Sequence, residues 1–207
     1  MRIVYIFVVI LLVITISCNV YGEIIDNNIN DGDNFAIEST DHIIRDNTCG
    51  DHLTWSYNTD TYTLTIQGTG DMGNFSSLNV PWSSYKNKMR KVIIEEGVTS
   101  IGTFAFGECD KLTSVEIPST ITSIGNSAFK ECESLISVTI PFSVRIIGFR
   151  AFYWCSNLET VIIHPGVTKI DGNAFTYCES LTSITIPSTV TELGESVFER
   201  CKKVRKC

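Results

Sequence analysis

Five cysteines, Cys109, Cys132, Cys155, Cys178 and Cys201, follow one another at a constant step of 23 residues. Other apolar positions keep the same step. Phe106, Phe129, Phe152, Phe175 and Phe198 form one column, and Leu112, Leu135, Leu158, Leu181 and Val204 another. Val115, Val138, Val161, Ile184 and Cys207 form a third, Ile117, Ile140, Ile163 and Ile186 a fourth, and Ile101, Ile124, Ile147, Ile170 and Leu193 a fifth. So many columns in step specify stacked, near-identical coils. One coil of this size cannot bury its own apolar edge, so neighbours must share a continuous core.

The unit reads I-G-x-x-A-F-x-x-C-x-x-L-x-x-V-x-I-P-x-x-V. Its L-x-x-V-x-I end alternates as a short strand with one buried face does. Pro118, Pro141 and Pro187 stop that strand where a missing N–H is tolerable. Gly102, Gly125, Gly148 and Gly194 supply a tight bend before A-F-x-x-C. Phe and Cys lie three apart there, which predicts a short helical or 3₁₀ turn carrying both on one side. The expected fold is therefore an α/β solenoid: a parallel strand ladder on one side and short helical turns on the other.

Before the repeats, Thr54 to Gln67 alternates on both sides of Asn58-Thr59-Asp60, as in a β-hairpin. Pro81 to Lys91 can start a short helix, with Trp82, Tyr85 and Met89 on one side. Met89, Val92 and Ile94 fall in the register of the Leu, Val and Ile columns. Residues 48–90 thus read as an N-terminal cap with a degenerate first repeat, and residues 91–207 as the solenoid. Val204 and Cys207 hold the first two inward strand positions of a further coil, so that end is expected to present an unfinished apolar face.

The repeat resembles the leucine-rich repeat of BspA-type surface proteins. The cap segments Cys49-Gly50-Asp51-His52-Leu53-Thr54-Trp55, Leu64-Thr65-Ile66-Gln67-Gly68-Thr69-Gly70, Pro81-Trp82 and Val92-Ile93-Ile94-Glu95-Glu96-Gly97-Val98 share the resemblance, which runs from about Thr48 to the C-terminus. It implies a non-enzymatic, adhesin-like role toward host matrix, plasma or cell-surface proteins, with no cofactor. A passive structural module that self-associates end to end through the unfinished coil is the alternative.

The N-terminus predicts export. Arg2 precedes an apolar run from Ile3 to Ile16, and small or polar residues follow from Ser17 to Gly22. That order is a secretory signal, and the run is short for a stable membrane span. Residues 1–22 read as the signal peptide, with Glu23 near the mature start. A lipobox ending at Cys18 is the rival reading, although Thr15-Ile16-Ser17 matches it poorly. No later segment is apolar enough to span a bilayer. Residues 23–47, rich in Asp, Asn and Ile, read as a flexible acidic linker. A formal charge of −7 and a pI near 5.0 argue against a nucleic-acid surface, which needs clustered Lys and Arg, although the last residues (Arg200, Lys202, Lys203, Arg205 and Lys206) are basic.

Chemistry-bearing residues are few. The cysteine column is shared with core residues and reads as buried thiols acting as small hydrophobes; a disulfide framework is the competing reading for an exported chain. No close C-x-x-C pair offers a metal site. His42, His52 and His164 have no nucleophile partnered by motif. Asn27, Asp31, Gly32 and Glu38 partly fit a calcium loop, but Ile29 stands where an oxygen ligand is required. Asn74-Phe75-Ser76 is the single glycosylation sequon.

Two surfaces remain as candidates for protein binding. On the face expected to be concave, Ile93, Glu116, Thr139, Ile162 and Thr185 alternate with the inward positions, flanked by Lys91, Ser114, Ser137, Thr160 and Ser183. Such residues are also ordinary occupants of a strand surface. On the outer side, Phe149, Tyr153, Trp154 and Tyr177 stand in columns that elsewhere read Thr, Asn, Lys, Glu, Gly or Arg. Exposed aromatics in one place mark interaction sites, whereas local packing between coils is their plain alternative.

Overall fold

A computed structural model describes residues 43–202, with side chains from Thr48 onward. The signal peptide, most of the acidic linker, the calcium-loop residues, Cys18, His42, Val204 and Cys207 lie outside the described residues. The strands are β1 (Ile43–Gly50), β2 (Leu53–Asn58), β3 (Thr63–Gly68), β4 (Gly70–Asp71), β5 (Lys91–Ile94), β6 (Val98–Ile101) and β7 (Ser114–Glu116). They continue as β8 (Ser123–Ile124), β9 (Ser137–Ile140), β10 (Ile146–Ile147), β11 (Thr160–Ile163), β12 (Lys169–Ile170), β13 (Ser183–Ile184) and β14 (Glu192–Leu193).

Each coil contributes to two strand ladders. The L-x-x-V-x-I segments pair in parallel and in register, Val161 facing Val138 on one side and Ile184 on the other. Their sheets run β1-β2-β3-β5-β7 and β9-β11-β13. The second ladder runs β4-β6-β8-β10-β12-β14, with Ile101, Ile124, Ile147 and Ile170 buried beneath it. The hairpin is β2 and β3, and Asn58 Oδ1 accepts the Asp60 and Thr61 N–H groups at 2.9 Å to form its turn. β3 then pairs in parallel with β5, Leu64 beside Val92 and Ile66 beside Ile94, so the hairpin covers the first coil in register.

The A-F-x-x-C segments are not helical, which corrects the α/β expectation. The one helix among the described residues is the three-residue 3₁₀ turn Ser83–Tyr85 in the cap. In the coils, two residues of every segment have left-handed backbone: Phe104 and Glu108, Ser127 and Glu131, Arg150 and Trp154, Asn173 and Tyr177, Ser196 and Arg200. No helix tolerates such residues at that spacing. The backbone instead alternates its partners. Phe104, Phe106 and Glu108 donate their N–H groups to Asn126, Ala128 and Lys130 of the next coil, while Ala105, Gly107 and Cys109 close turns on Gly102, Phe104 and Phe106. Parallel backbone pairing between coils thus replaces the helical bonds within them, and the molecule is a β-solenoid with little helix.

The turn arc also holds the core. Phe106, Phe129, Phe152 and Phe175 are fully buried and stack ring on ring at 5.1–5.3 Å. Trp82 extends the stack into the cap at 5.5 Å from Phe106 and donates its Nε1–H to Ala105 O. Beside them run the cysteines, all six of the described ones being free thiols. Cys132, Cys155 and Cys178 each donate Sγ–H to the Phe carbonyl of the preceding coil, at 3.1, 3.2 and 3.3 Å. The bend glycines provide space rather than unusual torsion. A Cβ on Gly125 would lie 2.6 Å from Thr103 N of the preceding coil, so only glycine permits that approach.

Three outcomes test this account. Phe152→Ala loses about 3–5 kcal/mol in denaturant unfolding, as a buried aromatic in an unbroken stack requires. Trp154→Val unfolds about 1–2 kcal/mol more easily than Trp154→Asn; both lose the ring, and only the β-branched residue opposes the left-handed backbone. Third, burial pushes the Cys49 and Cys109 thiols up to about 12 from an ordinary 9.0. The folded chain therefore keeps protons that the unfolded chain releases. The thiols' contribution to stability, followed by urea unfolding above neutral pH, is constant up to about pH 9 and falls steadily toward pH 12.

Candidate protein-binding surfaces

The structure brings the four outer aromatics together. Trp154 and Tyr177 are 23-residue equivalents on adjacent coils, and their rings stack at 4.8 Å and 19°. Tyr153 meets Tyr177 edge-on at 5.5 Å and lies 6.1 Å from Trp154. Phe149 joins through Arg150, whose guanidinium sits 4.9 Å over its ring and 5.1 Å over that of Tyr153. Trp154 and Phe149 remain 43% and 40% exposed, whereas Tyr153 and Tyr177 are partly covered. The cluster is therefore both packed and open: the rings rest on one another while Trp154 and Phe149 keep part of their surface in solvent.

The turn arc explains the geometry. Trp154 and Tyr177 take the second left-handed position of their coils, where sister coils carry Glu108, Glu131 and Arg200. The inter-coil bonds from Trp154 N to Thr176 O and from Tyr177 N to Glu199 O fix that backbone whatever the side chain. Arg150, which the sequence alone did not single out, takes the first left-handed position and links the aromatics by cation–π contact.

The strand-ladder face is arranged differently. Glu116, Thr139, Ile162 and Thr185 are all exposed, Ile162 at 47%, and Ile93 is partly covered. Lys91 Nζ reaches Glu116 at 2.6 Å, an exposed pair contributing little to stability. Among the described residues no backbone pairing joins β7 to β9, although β6, β8 and β10 remain continuous behind them. The Tyr62, Arg90 and Ile136 carbonyls each accept two amides of the next coil; Thr113, their equivalent at this junction, accepts none. A cleft of about 450 Å³ opens there, lined by Ser114, Val115, Glu116, Ile117, Ser137, Val138, Thr139, Pro141, Phe142 and His164. Val115 and Ile117 lose the full burial of their sisters Val138 and Ile140, and Phe142 stands 63% exposed. Phe142 had a sequence signal of the same kind as Trp154, an aromatic in a column that reads Ser119, Pro165 and Ser188.

The remaining candidates are dispersed. Asn74 is exposed and its Oδ1 accepts Thr103 N–H at 2.8 Å. His52 lies on the cap surface and His164 at the cleft. Burial holds the thiols of Cys132 and Cys155 well above the ordinary range, so they stay protonated. Among the described residues no three His, Cys, Asp or Glu side chains form a metal-ligand group, and no helix is long and apolar enough to cross a membrane.

Comparison with known proteins agrees with the coil geometry. No curated protein matches the chain. Among solved structures, a leucine-rich repeat protein from Bacteroides ovatus is similar at 21% identity and a TM-score of 0.51, over 82% of this chain and 52% of that one. A leucine-rich cell surface protein from Faecalibacterium prausnitzii (24% identity, TM-score 0.47, 81% of this chain and 55% of that one) is a further match. So is a leucine-rich repeat protein from Eubacterium ventriosum (22%, 0.46, 73% and 62%). The chain thus spans between about half and two thirds of the length of these three relatives. Residues 83–205 match the BspA type leucine-rich repeat region in six copies, and the chain belongs to that family.

Proposed function

We propose that this is an exported, surface-displayed leucine-rich-repeat protein that binds a protein partner without catalysis, and that the outer aromatic cluster is its contact site. The observation that carries the reading is the gathering of Phe149, Tyr153, Trp154, Tyr177 and Arg150 at one place on the turn arc. Aromatic and Arg side chains that are partly packed and partly exposed are what protein interfaces concentrate. Trp154 and Tyr177 stack at 4.8 Å while Trp154 stays 43% exposed, so the pair offers a pre-ordered aromatic surface to a partner. The export reading rests on the order of Arg2, the apolar run Ile3–Ile16 and the small residues after it. Protonated, buried thiols leave no reactive nucleophile in the cysteine ladder.

The test is biosensor binding of residues 23–207 to a panel of matrix, plasma and cell-surface proteins. The double variant Trp154→Glu, Tyr177→Glu runs beside it, since Glu108 and Glu131 already hold the equivalent positions. Saturable binding should weaken at least tenfold in the variant, with unfolding changed by no more than about 1–2 kcal/mol, the scale of one aromatic pair. Binding that survives the double change moves the contact to the face bearing Glu116, Thr139, Ile162 and Thr185. No binding, together with a mass that grows with concentration, replaces adhesion by end-to-end assembly.

A further inference from the structure

Asn74-Phe75-Ser76 belongs to neither surface above, and the cap gives it a defined shape. The segment runs without regular secondary structure between β4 and the turn at 77–79. Only its middle residue goes inward: the Phe75 ring meets Trp82 edge-on at 5.6 Å, while Asn74 and Ser76 are exposed. Thr103 of the following coil holds the segment twice. It donates its N–H to Asn74 Oδ1 at 2.8 Å and accepts the Phe75 N–H at 2.8 Å.

One end of the Asn74 amide is thereby engaged and the other is not. Nδ2 has no hydrogen-bond partner among the described residues. Asn126 Oδ1 accepts the Phe149 N–H in the same manner at 2.9 Å, yet Ala128 stands two places after it. Asn74 combines that geometry with a hydroxyl two residues on, which the N-glycosylation acceptor motif requires. A substituent on Nδ2 leaves Oδ1 its bond to Thr103, so the folded cap accommodates a bulky group there. The adjoining turn, closed by Asn79 N–H on Ser76 O at 3.2 Å, carries Leu78 at 91% exposure, the most open large apolar side chain among the described residues.

We propose that Asn74 is the acceptor of an N-linked glycan, transferred during export from a polyprenyl-pyrophosphate-linked oligosaccharide. Nδ2 bonds to C1 of the first sugar and the C1–O bond to the pyrophosphate breaks. The lipid pyrophosphate leaves with the electron pair, and one amide proton passes to a base of the transferase. The product is a bulky hydrophilic group on the loop that exposes Leu78. Asn74 precedes Thr103 in the file that continues through Asn126 to Phe149, so the glycan stands at the cap end of the arc that bears the outer aromatics. Glycosylation here presupposes export and so rests on the secretory reading of residues 1–22.

The test produces the full chain in a eukaryotic secretory host, once with its own N-terminus and once as residues 23–207 behind a leader of the host. Intact mass is measured before and after peptide N-glycanase in heavy-oxygen water. Both secreted proteins should carry a glycan that the enzyme removes, converting Asn74 to aspartate with incorporation of the heavy oxygen. Asn74→Gln and Ser76→Ala should each abolish the glycan, Ser76→Thr should retain it, and Ser77→Ala should leave it unchanged. Ser76→Thr keeps a hydroxyl for Asn79, so it reports on the acceptor even where Ser76→Ala disturbs the turn. Secreted protein at the bare chain mass overturns the proposal and leaves export standing. A glycan that resists the enzyme, or persists in Asn74→Gln, overturns the assignment to Asn74. A chain that stays in the cytosol with its own N-terminus but is glycosylated behind the host leader overturns the export reading, and with it glycosylation of the natural protein.

Discussion

The carbonyl oxygen of the turn phenylalanine joins one coil to the next, and most of the structure depends on it. Phe106 O accepts the Cys109 N–H of its own coil at 3.3 Å and the Cys132 Sγ–H of the following coil at 3.1 Å. The same double acceptance recurs at Phe129, Phe152 and Phe175. This explains why the column is cysteine. Valine or alanine would fill the core but bring no donor, and serine would bring a donor that is harder to desolvate. A thiol is small, apolar enough to bury and still able to reach the second lone pair. With the carbonyls so engaged, successive phenylalanine rings are held in one stack, and the 23-residue step keeps donor and acceptor in register from coil to coil.

The strands were legible in the sequence because their logic is local: Leu, Val and Ile alternate along each segment and repeat between segments. The arc was not. Phe and Cys three apart satisfy a helical pattern as well as the observed turn, and the deciding residues are the left-handed ones. Those are Phe, Ser, Arg, Asn, Glu, Trp and Tyr, none of them glycine, so composition gave no sign. Inter-coil amide bonds override their individual preferences. Trp82 escaped the phenylalanine column for a plainer reason, standing 24 residues before Phe106 instead of 23.

The outer aromatic cluster was legible as a departure from the repeat, since a residue unlike its column is released from the duty its sisters perform. Arg150 was hidden because charge in a turn is commonplace; only its position over two rings gives it meaning. The tyrosine stack of the cap was hidden for a different reason. Tyr57 and Tyr85 lie far apart in sequence, and their stacking depends on how the hairpin closes over the first coil. The interruption between β7 and β9 is not marked in the strands themselves, because Val115 and Ile117 carry the same residue types as their buried counterparts.

That interruption has a mechanical consequence. Elsewhere a pull along the solenoid axis is shared by three parallel rows of backbone bonds: the two strand ladders and the arc. Between β7 and β9 it is carried by two, since the Leu-Val-Ile side contributes no backbone bond there. Rows of bonds that share a load yield where they are fewest. Under tension the molecule yields first at the Phe142 cleft, so the load this solenoid withstands is set at one place along its length.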